Sequence, residues 1–90
     1  MATAPAAALP DRVDLETAPQ ALVRVRAALA AAPGALDCTG LRQFDSAAVA
    51  VLVALRREAR GPLRLHGAPP NLRKLAALYG VDALLFGPPA

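Results

Sequence analysis

FDSAAVAVLVALRREAR, residues 44–60, decides how the rest of the chain must be arranged. Asp45 and Ser46 are helix-capping residue types, whose side-chain oxygens accept the first free backbone N–H groups of a helix. Residues 47–55 follow as nine apolar positions without a break. Arg56, Arg57 and Arg60 then put positive charge where the helix dipole is negative. Val49, Leu52, Val53 and the stem of Arg56 fall at i, i+3, i+4 and i+7 and form one apolar stripe. Ala47, Ala50, Val51 and Ala54 lie on the opposite side, and none of them is polar. A helix that is apolar all round is covered on both sides. A short chain has one core, so the second side is covered by another element of the same chain or by another protein, and another protein is the expectation.

Composition narrows the classes. Ninety residues make one domain with a modest core, which a partner would help to stabilise. With 56% hydrophobic and only 3% aromatic residues, that core must be Leu, Val and Ala. The net charge is +3, carried by nine Arg and one Lys, with a pI near 10.0. The basic residues are spread over several segments with no Trp and three other aromatics, which argues against a stacking platform for nucleic acid. Cys38 is the single cysteine, so there is no internal disulfide and no multi-cysteine metal site. The first ten residues lack the charged start and sustained apolar run of a signal peptide. No apolar run approaches the roughly 20 residues needed to span a bilayer. A soluble cytoplasmic protein is expected.

Along the chain, residues 12–15 alternate charged and apolar types, with Val13 and Leu15 facing one way, and predict a short strand. Thr17 with Gln20 reads as a capping box with Pro19 in the first turn, and Leu22, Val25 and Leu29 as a core stripe. Pro33-Gly34 ends that helix. Residues 35–38 are the second strand, and residues 63–66 the third. Asn71 is placed to cap a further helix, with Leu72, Leu75, Ala76 and Tyr79 on its inner stripe and Gly80 as its left-handed terminator. Residues 81–86 are an apolar tail that packs back. Strands alternating with helices predict a small, mostly parallel sheet with right-handed crossovers. The strands' C-terminal ends, and with them the loop of residues 37–46, should share one functional edge.

Leu36-Asp37-Cys38-Thr39-Gly40, a short loop to Phe44-Asp45-Ser46 and an apolar helix resemble the STAS domain, the fold of bacterial anti-sigma factor antagonists. In that family the residue after the Asp, here Ser46, opens the helix and is the antagonists' phosphorylation site. Residues 71–81, NLRKLAALYGV, look like the last helix of MlaB-type STAS proteins. The resemblance covers residues 12–85. It implies an α/β fold, STAS-like, with a mostly parallel short-stranded sheet packed by three to four helices. Residues 1–11, Ala- and Pro-rich at their start, would be a loose N-terminal segment, or in part the extension of an edge strand, with 12–86 the domain and 87–90 a frayed tail. It also implies a non-catalytic cytoplasmic subunit that binds the ATPase (MlaF-like) of a phospholipid-transporting ABC complex and supports its assembly or activity. Such a protein sits at the inner membrane through its partner, without inserting. The alternative is an anti-sigma factor antagonist controlled by phosphorylation of Ser46. The chain departs from the family in having Ala47 and Ala48 where Gly is common, and in a short N-terminal strand region.

The expected partner-binding residues are Asp45, Ser46, Ala47, Ala50, Val51, Ala54 and Tyr79. Three roles are open to Ser46: partner contact, plain cap or phosphoacceptor. A phosphate there would favour the positive helix terminus and disfavour an apolar docking surface. Asp45 is a cap or loop organiser, or else forms a salt bridge to the partner. Asp37 should hold loop N–H groups at its strand's end. Tyr79 packs inward or joins the partner surface. His66, the only histidine, has no evident nucleophile or orienting partner, and Cys38 reads as a small buried hydrophobe. No catalytic constellation, metal site or cofactor is expected.

Overall fold

The structure is a computed structural model that describes residues 7–87. Nine short elements follow one another: β1 (Ala7–Ala8), β2 (Arg12–Val13), α1 (Ala18–Ala31), β3 (Ala35–Asp37), β4 (Gln43–Phe44), α2 (Ser46–Glu58), β5 (Arg64–His66), α3 (Pro70–Leu78) and α4 (Asp82–Phe86). The strands pair in two small parallel sheets, β1-β3-β5 and β2-β4. Leu36 sits at the centre, in register with Ala7 on one side and Leu65 on the other. Parallel neighbours need crossover connections, and α1 and α2 supply them.

The first strand begins inside the segment expected to be loose. Ala7 is buried and pairs with Leu36, and Leu9 is buried too, its N–H donating to the Asp37 carbonyl at 2.9 Å. Small residues left its bounds unmarked because they carry no alternation. The rest of the expected loose segment, residues 1–6, and the end of the expected frayed tail, residues 88–90, lie outside the described residues.

Helix ends follow local chemistry, with two revisions. Thr17 makes no capping-box hydrogen bond. Asp14 does the work instead: its Oδ1 accepts from the N–H groups of Glu16 and Thr17 at 3.0 and 3.1 Å, and its own N–H donates to Thr17 Oγ1 at 3.0 Å. That turn swings Leu15 outward, so Val13 is fully buried while Leu15 is 79% exposed. Asn71 is likewise not the cap, since α3 starts one residue earlier at Pro70. Gly80 does terminate α3 at φ +73°, with its N–H on Ala77 O and the Val81 N–H on Ala76 O, both at 3.0 Å.

The core centres on α2. Ala48, Val49, Val51, Leu52 and Leu55 are buried, and α2 packs against α1, α3 and α4. Two contacts hold the helical layer at its margins. Arg26 of α1 forms a two-pronged ion pair with Glu58 of α2, both distances 2.8 Å. Arg73 of α3 lies 4.4 Å from the centre of the Phe86 ring, fastening α4 by a cation–π contact.

At the strands' C-terminal edge the loops interlock. Asp37 Oδ1 accepts from the Thr39 N–H at 2.9 Å and the Thr39 hydroxyl at 2.7 Å, and the Cys38 N–H donates to His66 O at 2.8 Å. Gly67, at φ +68°, lies so close that a Cβ there would come within 2.1 Å of Thr39 Cγ2.

Gly67→Ala should therefore cost about 2–4 kcal/mol, from left-handed strain plus overpacking, measured by urea unfolding with the midpoint lowered. Acid sensitivity is also expected. Hydrogen bonds from Arg12, Thr39 and Arg26 hold the carboxyls of Asp14, Asp37 and Glu58, respectively, below their ordinary values. Depressed carboxylates stabilise the fold fully above the ordinary values of 3.8 and 4.5, and lose that contribution as pH falls through the lowered ones. Thermal melts should show a falling Tm across that acid window and little slope above it. Thr39→Val should flatten part of the fall.

Candidate functional site

The outer face of α2 is the candidate site. Its wheel is fixed by Leu52, fully buried, which turns Ser46, Ala50 and Arg57 to solvent and leaves Ala47, Val53 and Ala54 half-buried. Ala50 crowns a ridge with a shallow hollow on each side. One hollow, about 600 Å³, runs between the start of α1 and α2 and is floored by Leu15, Ala18, Leu22, Ala47 and Val51. The other, about 700 Å³, lies between α2 and the end of α3, lined by Val49, Val53, Ala54, Tyr79 and Val81. From Ser46 to Leu55 the helix carries no charge. Arg57 is the first exposed cation beyond it.

The expected site residues are sorted by this geometry. Ser46 is the first helical residue, exposed, and its hydroxyl makes no hydrogen bond to another described residue. Asp45 is the cap: its backbone is extended and its Oδ1 accepts from the Ala47 N–H at 2.8 Å. Its Oδ2 accepts from the Leu15 N–H at 3.2 Å, so the same carboxylate ties the α1 turn beside the ridge. Tyr79, left open between core and surface, is 57% exposed at the rim of the second hollow.

Val51 is a correction. It was assigned to the free side of α2, yet it is only 4% exposed and belongs to the core. The buried arc of α2 is wide enough to meet α1 as well as α3 and α4, and Val51 lies on the α1 side of it. An unbroken apolar run holds no polar residue to fix the rotational phase of the helix. Two leucines are each 79% exposed: Leu15, expected to face the same way as the buried Val13, and Leu78, which belongs to no expected stripe. The Asp14-x-x-Thr17 turn was the available signal for the first. Leu78 falls off the Leu72–Ala76 stripe, which was the signal for the second.

The groups with chemical potential do not assemble. Cys38 is fully buried, and burial pushes its thiol up to about 12, so it is protonated at neutral pH and shielded. His66 is exposed at the end of β5, with no side-chain hydrogen bond to another described residue. Asp37 is committed to Thr39. Among the described residues no three His, Cys, Asp or Glu side chains are grouped to hold a metal ion, and no helix is long and apolar enough to cross a membrane. The site offers an uncharged, small-residue ridge between two mostly apolar hollows, one bordered by Asp45 and the other by Arg57 and Glu58, suited to contact.

The model of one protein family, described as Mlab, STAS domain, matches residues 3–86. Comparison with curated proteins and with solved structures finds no match. The matched span takes in the edge strand β1 together with α1 to α4. With its short parallel strands, its apolar α2 opening at Asp45-Ser46, and that match over nearly its whole length, the chain belongs to the STAS domain family.

Proposed function

We propose that this STAS domain is a non-catalytic subunit that docks on the ATPase of a phospholipid-transporting ABC complex and supports its assembly or activity. STAS domains are in general not catalysts, and the family description names the Mlab type. The observation that carries the reading is the uncharged α2 ridge, with exposed Ala50 between exposed Leu15 and Tyr79. Small side chains at Ala47, Ala50 and Ala54 let a partner's backbone approach closely, and the flanking Leu15 and Tyr79 add apolar area. Aromatic anchors beside a well-packed centre are where interface energy concentrates. In this reading Asp45 organises the surface from below, Ser46 contacts the partner, and the chain resides in the cytoplasm at the inner membrane through its partner. It takes no part in lipid chemistry itself.

A second reading has its own support. Ser46 presents an exposed hydroxyl at the first residue of α2, sterically open to a kinase. Phosphate there would lie at the positive end of the helix and beside the apolar ridge, favoured by the first and in conflict with the second. The chain would then be an anti-sigma factor antagonist released by phosphorylation.

Ala50→Glu should abolish co-purification with the ATPase subunit while circular dichroism and Tm stay unchanged. Retained binding defeats the docking face. Val51→Ala serves as the contrast, costing about 1–3 kcal/mol of stability through lost packing, with binding kept in the folded fraction. Incubation with an anti-sigma type serine kinase, followed by intact-mass measurement, separates the two readings: the transporter subunit stays unmodified, and stoichiometric phosphate on Ser46 favours the antagonist.

A further inference from the structure

A second surface lies away from the ridge, where β4 runs beside α3. β4 pairs with β2 alone, so its other edge has no strand beside it among the described residues. The pairing is parallel, with Gln43 opposite Arg12 and the Gln43 N–H donating to Asp11 O at 2.9 Å. Backbone groups alternate sides along a parallel strand, so the Phe44 N–H is directed away from β2. A groove of about 630 Å³ lies between β4 and α3. Phe44 and Leu75, half-buried, and Leu78, 79% exposed, form its apolar part. Arg42 and Lys74 both line it, and no carboxylate does. Neither cation joins a salt bridge among the described residues.

A strand edge beside a helix is the setting in which an extended peptide adds to a sheet: main-chain hydrogen bonds hold it, and side-chain pockets choose its sequence. An unpaired edge is a template for such pairing unless something blunts it. β4 is only two residues long and carries no proline, no acidic side chain lines the groove, and the two cations disfavour a basic strand and favour an acidic one.

We propose that the β4–α3 groove binds an extended acidic peptide segment of a partner protein, which adds as a strand along β4. One face of the peptide sets apolar side chains on Phe44, Leu75 and Leu78. Its carboxylates meet Arg42 and Lys74. This surface is distinct from the Ala50 ridge and does not depend on the docking reading above.

The test follows backbone amide signals of the isotope-labelled protein during titration with peptides of about eight residues, long enough for a strand. One peptide alternates valine and aspartate, the other valine and lysine. The expected result is saturable shifts of the Phe44 amide and of α3 with the acidic peptide alone. The affinity should drop at least roughly tenfold in the Arg42→Glu/Lys74→Glu variant, whose own spectrum reports that it is folded. Ala50→Glu should leave these shifts unchanged, so loss of ATPase docking and loss of peptide binding are separate outcomes. Equal binding of the lysine peptide, undiminished binding by the double variant, shifts confined to α2, or no shift at millimolar acidic peptide each overturns the proposal. So does concentration-dependent self-association that shifts the same amides without peptide, because a second copy then fills the groove.

Discussion

Burial of Leu52 is the constraint on which the arrangement depends. The side chain has no exposed surface, and it lies in the middle of a helix that touches α1, α3 and α4. Each fully buried Leu or Val contributes about 1.5–3 kcal/mol, and α2 supplies three more large apolar residues, Val49, Val51 and Leu55, to the same core. A core with almost no aromatic residue gains its stability from such close contacts among Leu, Val and Ala. Once Leu52 is inward, the helix has one rotation left, and that rotation puts Ala50 outside.

The two ends of α2 are held by different chemistry. At its start, one carboxylate caps the helix and ties the α1 turn, so Asp45 places Leu15 beside the ridge. At its end, the Arg26–Glu58 pair joins α1 to α2 at the surface, where solvent screens an exposed ion pair and leaves it a small contribution. The apolar packing between them carries the larger share. The loops of β3 and β5 add a separate fixed point, because Gly67 sits against Thr39 and Thr39 is held by Asp37.

Much of this was readable in the residues. The apolar run after Asp45, the Pro33-Gly34 break and the Gly80 terminator mark element ends through chemistry that acts within a few residues. Asp37 holding a loop N–H and Cys38 in the core followed for the same reason. Where local cues were weak, the reading went astray. Ala7–Ala8 forms a strand because Leu36 is available to pair with it, and nothing in two alanines announces that. Leu15 faces out because Asp14 bends the chain, which overrides simple alternation.

The amino-acid sequence by itself determined α1, α2 and α3, the parallel α/β class and the presence of a helix with more apolar surface than one core face needs, while residues 81–86, expected as an apolar tail, include the helix α4. These depend on spacing, capping and turn residues, whose effects are local. Only the tertiary structure decided which apolar residues that surplus comprises. It took Val51 into the core and left Ala50 outside, and it set Leu15 and Tyr79 on either side of Ala50. A run of apolar residues states how much surface avoids water. Its rotational phase is set by the neighbours that pack against it, and those come from distant parts of the chain.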